Sequence, residues 1–130
     1  MRALQTVARP MLAAMFVFGG LDAFQNPKSK ARRAESIAPK IAEAAGVEAD
    51  TVQLVRVNGA VQVGAGVALA LGVLPRLAAL ALAGSLVPTT LAGHRFWEEQ
   101  DPTARTQQTI HFLKNVGLLG GLLMVVSEGK

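Results

Sequence analysis

The fold of this chain is decided by the stretch of residues 57–93, which reads VNGAVQVGAGVALALGVLPRLAALALAGSLVPTTLAG. Its 37 residues carry one charge, on Arg76, directly after Pro75. A single helix of that length would extend about 55 Å, nearly twice the ~30 Å hydrocarbon core of a bilayer. Pro75 can end one helix or begin the next, and Arg76 can lie among lipid headgroups. The stretch therefore predicts two transmembrane helices, near residues 50–74 and 77–94.

An apolar segment near the start of the chain, residues 4–24, predicts a further spanning helix. A secretory signal peptide is the alternative, because a basic residue precedes a short apolar run. The large residues Phe18 and Leu21 would occupy the −3 positions of the candidate cleavage sites, which favours an uncleaved anchor.

The last apolar segment covers residues 109–127. Asp101 and Pro102 upstream are a favoured N-cap and first helical residue, which predicts a helix over residues 102–127. Asp50 with Gln53 resembles a capping box in the same way. Four spanning segments with polar or proline-marked breaks predict an all-α fold, a four-helix antiparallel transmembrane bundle. We expect one domain, residues 1–130, with both termini on the same side of the membrane.

The composition agrees with a membrane protein and excludes several chemistries. Hydrophobic residues make up 51% of the chain and charged residues 17%, whereas soluble domains are roughly 25% charged. There is no cysteine, which excludes disulfides, thiolate metal sites and iron–sulfur clusters within this chain. The net charge is +4, but the scarcity of aromatic residues argues against nucleic acid as a partner.

The connection over residues 25–49 is the longest polar region of the chain. Its small and apolar residues follow helical spacing at Ala34, Ile37, Ala38, Ile41 and Ala45. This pattern predicts a short amphipathic helix, which either lies on anionic headgroups as an interfacial helix or is a solvated connector.

Small residues repeat along two of the predicted helices. Ala60, Gly64, Ala68 and Gly72 recur at every fourth position, and Gly117 and Gly121 form a GxxxG pair. Such residues allow close helix approach in lipid. We expect them to pack helices within one molecule, while a dimerisation face, and hence a homo-oligomer, stays open as the alternative.

Polar residues concentrate at one end of the predicted bundle, where helices one and three end and helices two and four begin. Ionisable groups at membrane depth cost at least ~2.5 kcal/mol each at the centre and usually mark function. We expect one polar cavity, open to that leaflet and lined by Asn58, Gln62, His94, Arg95, His111, Lys114 and Asn115. Asp22 is expected to pair with Arg56 or Lys114. Snorkelling of the basic residues to the headgroups is the alternative.

The residue types of this predicted cavity favour an amphiphile over a metal or haem. His94 and His111 lie on either side of a short connection, where two imidazoles seldom reach opposite faces of one porphyrin. Asp22 is the only carboxylate within the bundle, so a third strong metal ligand is lacking. Imidazole, amide and ammonium groups can all donate hydrogen bonds to a carbonyl, so a ligand with a carbonyl group is the candidate. A structural role, with each histidine bonded to a neighbouring backbone group or threonine, is the alternative.

The motifs Pro88-Thr89-Thr90, His94-Arg95-Phe96-Trp97, His111-Phe112-Leu113-Lys114-Asn115 and Gly120-Gly121-Leu122-Leu123 resemble the DoxX family of small bacterial membrane proteins. The resemblance extends to the first two helices through residues such as Arg9, Gly19 and Gly59. It implies a four-helix protein of the bacterial cell membrane. Some relatives are described as the small subunit of a thiosulfate:quinone oxidoreductase, and others as the membrane part of a complex that handles thiol or oxidative stress.

Two classes of function therefore stay open. The first, which the resemblance implies, is a subunit of a membrane oxidoreductase complex that binds a quinone at the polar leaflet, with a membrane or soluble redox enzyme as partner. The second is a non-catalytic assembly factor or lipid-binding protein, and the lipid bilayer is a partner in both. Without cysteine the chain cannot itself carry sulfane sulfur, so we do not expect it to be an enzyme alone. Nine of the 13 basic residues lie on the side of the long connections, which predicts a cytoplasmic location for these connections.

Overall fold

A computed structural model describes residues 2–34, 40, 43, 44, 46, 50–94 and 96–128, and the regular structure of these residues is helical. The helices are α1 (Arg2–Gln25), α2 (Pro27–Ala34), α3 (Thr51–Leu71), α4 (Pro75–Gly93) and α5 (Pro102–Ser127), with a 3₁₀ turn at Phe96–Glu98. Four of them are long and apolar enough to cross a membrane, over Ala3–Gln25, Thr51–Leu71, Pro75–Glu98 and Pro102–Ser127. The prediction of an all-helical protein with four long apolar helices is confirmed.

Local chemistry explains where the helices begin and end. The Asp50 carboxylate accepts a hydrogen bond from the Gln53 backbone N–H at 2.7 Å, and Asp101 accepts one from Ala104 at 3.0 Å. Both predicted N-caps are therefore confirmed. α3 ends earlier than predicted because Gly72 adopts φ 73°, a left-handed conformation that suits glycine and terminates a helix.

The tightest helix pair is α1 with α3. A Cβ atom added at Gly59 would lie 2.5 Å from the Gly20 carbonyl oxygen, and one added at Gly20 would lie 2.7 Å from the Gly59 carbonyl oxygen. Gly66 lies similarly close to the Val17 side chain. Only hydrogen side chains at these positions allow the two backbones to approach this closely.

The predicted packing role of the small-residue repeat is wrong at two of its glycines. Added Cβ atoms at Gly64 and Gly117 would meet nothing within 4 Å, so neither glycine packs within the molecule. α3 instead packs against α1 through the neighbouring face, which carries Gly59 and Gly66, seven residues apart. The reason is that a helix with several small residues carries more than one small stripe, and its partner selects among them.

The core lies in the half of the bundle away from the long connections, and α4 contributes most to it. Leu69 of α3, Leu82 of α4 and Leu122 of α5 are fully buried, with Phe16 of α1 beside them. Hydrogen bonds join α3 to α4 and α4 to α5. Along each of these helix pairs, the residue numbers increase in one direction on the first helix and in the opposite direction on the second. Neighbouring helices are therefore antiparallel.

The first connection begins with α2, which folds back against the ends of α3 and α4. Pro27 and Ala31 are buried there, while Lys28 is exposed. The amphipathic stripe predicted over residues 34–45 lies mostly outside the described residues.

Candidate functional site

Four polar side chains join α3 to α4 inside the bundle. Asn58 Nδ2 donates to Thr89 Oγ1 at 2.7 Å, and Ser85 Oγ donates to Asn58 Oδ1 at 2.6 Å. Gln62 Nε2 donates to Ser85 Oγ at 3.0 Å, and Gln62 is buried. In lipid, such interhelical hydrogen bonds satisfy groups that have no water to bind. The cluster therefore fixes the register of α3 against α4.

A second polar contact joins α4 to α5. Asn115 Nδ2 donates to Thr90 Oγ1 at 3.0 Å, and both residues are buried. The Thr90 hydroxyl itself donates to the Leu86 carbonyl oxygen at 2.8 Å. Because successive helical residues point about 100° apart, Thr89 faces α3 while Thr90 faces α5. The two consecutive threonines thus hold α4 to both of its neighbours.

The histidines form a third group at the ends of α4 and α5. The His94 and His111 rings stack with centroids 5.1 Å apart and an interplanar angle of 26°. His94 Nδ1 lies 2.8 Å from Gln108 Oε1, so with this amide orientation the ring nitrogen is the donor. Lys114 follows His111 by one turn of α5, and both are exposed.

An aromatic cluster lies between these helix ends. Phe96, Trp97 and Phe112 meet edge to face, with ring centroids 5.2 to 5.9 Å apart. Trp97 is about half exposed, as expected of an indole at a membrane interface. The single tryptophan of the chain therefore contacts Phe112, the residue that follows His111 on α5.

Six of the seven residues predicted to line one polar cavity are described by the structure, and they lie in separate groups. Asn58 and Gln62 lie together, Asn115 lies apart from them with Thr90, and His94 stacks on His111. Lys114 is on the outer surface of α5, and Arg95 is outside the described residues. Ligand binding by these residues stays a prediction.

The expected ion pair of Asp22 with Arg56 or Lys114 is wrong. Asp22 bonds to Lys30 of α2 instead, because the chain turns at Asn26 and brings the first turn of α2 back beside the end of α1. Arg56 donates from Nε to the Phe24 carbonyl oxygen at 3.3 Å, and its guanidinium lies 5.9 Å from the centre of the Phe24 ring.

Sequence reasoning missed two features of the polar groups. Ser85 lies within the apolar stretch 57–93, and its spacing of four from Thr89 places both on one face of α4. The opposite end of the bundle is not purely apolar. It carries an ion pair between Arg9 and Glu128 at 3.7 Å and a hydrogen bond from Arg76 Nε to the Val126 carbonyl oxygen at 3.0 Å.

The geometry of the described residues does not suit haem or a metal. The face-to-face stacking of His94 and His111 does not direct a nitrogen of each ring at one iron between them. Within residues 2–34, 50–94 and 96–128 no three His, Asp or Glu side chains are grouped so as to hold a metal ion. Hydrogen bonding is the chemistry that these side chains offer.

An open apolar groove of about 460 Å³ lies along α1 and α3, away from all three polar groups. It is lined from Pro10 to Leu21 on α1 and from Val67 to Leu71 on α3.

A family model described as DoxX matches residues 4–95, which include α1 to α4. The match ends before α5, so it is shorter than the resemblance drawn from the sequence motifs. No curated protein and no solved structure matches the chain significantly.

Proposed function

The chain belongs to the DoxX family and is a multi-pass membrane protein, and from this premise we propose that it is a subunit of a membrane oxidoreductase complex that binds a quinone or a similar amphiphile. The proposed headgroup site is the histidine face, which we define as His94, His111 and Lys114 with Gln108 behind His94. The long connections are proposed to lie on the cytoplasmic side.

The observation that carries this proposal is the exposure of Lys114 and His111 within the apolar helix α5. With Ser127 at one edge, a ~30 Å hydrocarbon core takes up about twenty residues of α5, and Lys114 would then lie about 10 Å inside the opposite edge. Both side chains are exposed on the surface of the bundle. An ammonium group in hydrocarbon is costly without a polar partner, so this face favours an occupant with oxygen acceptors.

The chemistry of the histidine face suits a carbonyl headgroup. The ammonium group of Lys114 and an N–H of His111 can each donate to a quinone oxygen. Imidazole also exchanges protons near neutral pH, and conversion of a quinone to a quinol consumes two protons. With no cysteine in the chain, we place the source of electrons on a partner enzyme.

The buried amides are not part of this proposed site. Asn58, Gln62 and Asn115 already bond to hydroxyl groups of α4, so a ligand would have to break those bonds first. Because these amide groups already have hydrogen-bond partners inside the bundle, they favour the second candidate function, a non-catalytic assembly factor or lipid-binding protein. That candidate needs no polar ligand at all.

The test is a titration of the protein in phosphatidylcholine nanodiscs with a short-chain ubiquinone, followed by quenching of Trp97 fluorescence. We expect saturable quenching in the wild type and about tenfold weaker binding in Lys114→Met, because a charged hydrogen bond is lost. His111→Phe keeps a ring in the stack but removes its N–H groups, and should also weaken binding.

Lys28→Met is the matched control, since it is the same change at an exposed site on α2. Its binding should equal that of the wild type. If Lys114→Met binds as tightly as this control, the histidine face is not the site. If the wild type shows only non-saturable quenching and purifies from native membranes without quinone, the second candidate function is favoured.

A further inference from the structure

Arg9 lies at the end of the bundle opposite the histidine face and has fewer polar contacts than a buried guanidinium needs. Its side chain is 20% exposed, and its Nε atom is buried with no hydrogen-bond partner among the described residues. The ion pair with Glu128, at 3.7 Å, is longer than a hydrogen bond. A buried donor without a partner is costly, and a bound ion is one of its recognised explanations.

A second arginine reaches the same end of α5. Arg76 donates from Nε to the Val126 carbonyl oxygen at 3.0 Å, while Arg9 meets Glu128 just beyond. Arg76 is exposed, and its guanidinium group has further N–H groups besides the one that donates to Val126. The two guanidinium groups therefore flank one helix end, and Glu128 balances only one of their two charges.

Both arginines lie beside helix ends on the side of the bundle opposite the histidine face. The Cβ position of Gly72, where α3 ends, lies 3.3 Å from a terminal nitrogen of Arg9. Arg76 is the second residue of α4 and lies about 27 Å from His94 along that helix. In a bilayer with a ~30 Å hydrocarbon core spanned by α4, this end of the helix would lie near the phosphates of one leaflet.

We propose that Arg9 and Arg76 form a binding site for a phosphate oxyanion. The planar guanidinium fork matches the oxygen atoms of phosphate and binds them with two parallel hydrogen bonds. Such an anion would bind the terminal N–H groups of the two guanidinium groups and neutralise the excess positive charge. The site lies at the far end of α4 from His94, so it is independent of the quinone proposal.

A phospholipid headgroup and free phosphate share this chemistry, and the groove on α1 and α3 supports the headgroup. The groove begins at Pro10, next to Arg9, and at Leu71, next to Gly72. It extends to Leu21, about 16 Å along α1. A lipid with its phosphate on Arg9 would have an acyl chain in reach of this apolar surface.

The experiment measures lipid retention by native mass spectrometry after the protein is equilibrated in micelles with equal phosphatidylglycerol and phosphatidylcholine. We expect the wild type to retain phosphatidylglycerol, and Arg9→Gln and Arg76→Gln each to bind it about tenfold more weakly. Glu128→Gln should bind it more tightly, because the competing carboxylate is gone. Arg105→Gln, an exposed change at the other end, is the matched control and should be unchanged.

A second arm adds inorganic phosphate at millimolar concentration. Displacement of the lipid by phosphate would assign the site to a free anion, and retention would assign it to the headgroup; either result supports an oxyanion site. Circular dichroism and Trp97 fluorescence check that the variants fold. If Arg9→Gln does not fold, the comparison rests on Arg76→Gln, which changes an exposed residue. Equal lipid retention in the wild type and in folded Arg76→Gln and Arg9→Gln, or weaker retention in Glu128→Gln, would overturn the proposal.

Discussion

The substitution Gly59→Ala tests the close approach of α1 and α3. The new Cβ atom would lie 2.5 Å from the Gly20 carbonyl oxygen and 2.9 Å from the Phe24 backbone nitrogen. Ordinary contact begins at 3.4 Å, so α1 has to move back by 0.9 Å along this part of the interface. Both atoms that it meets belong to the main chain, which cannot rotate away as a side chain can.

The magnitude follows from two opposing terms. Overpacking costs about 1–3 kcal/mol, and the upper end applies because the obstacle is rigid backbone. Alanine is a better helix former than glycine by about 1 kcal/mol, which offsets part of that cost. We therefore expect Gly59→Ala to destabilise the protein by about 2 kcal/mol net.

Gly64→Ala on the same helix is the matched control. Its Cβ atom would meet nothing within 4 Å, so only the gain in helix propensity remains, up to about 1 kcal/mol. The two variants should thus differ by about 3 kcal/mol in their free energy of unfolding. Unfolding by sodium dodecyl sulfate in mixed micelles, followed by circular dichroism and Trp97 fluorescence, measures this difference.

The reasoning is refuted if Gly64→Ala is as damaging as Gly59→Ala. That result would mean that the outer stripe of Ala60 and Gly64 is packed, and a loss that depended on protein concentration would identify a second copy as its partner.

Three further predictions concern the polar contacts and the topology. Asn115→Leu should cost about 0.6 kcal/mol in the same unfolding assay, because Thr90 keeps its bond to the backbone; a loss above about 2 kcal/mol would show that the contact is more than one ordinary interhelical bond. Asp22→Asn should change the free energy of unfolding little, since the Asp22–Lys30 pair is nearly half exposed, yet it should speed amide hydrogen exchange in α2. Unchanged exchange in α2 would argue against the role of this pair in holding the helix. Alkaline phosphatase fused after Lys130 should be active, because the excess of basic residues on the long connections predicts that these lie in the cytoplasm and the termini outside it; a silent fusion would reverse the orientation.

The sequence by itself determined the helices and most of their ends. Spanning segments of sufficient length and apolarity have no other stable form in a bilayer, so four helices followed from residue types alone. The N-caps Asp50 and Asp101 were predictable for a similar reason, since a cap bonds to a backbone N–H three residues away. Such features depend on neighbours along the chain and need no knowledge of packing.

Only the tertiary structure decided which faces and which partners meet. Gly59 and Gly64 both allow close approach of another helix, and the choice between them depends on α1, which presents Gly20 to one and not the other. The partner of Asp22 depends on the turn at Asn26, and the separation of Asn115 from Asn58 depends on which way consecutive threonines of α4 point. In each case several pairings satisfy the same local chemistry, and the one that forms is set by close packing of helices distant in sequence.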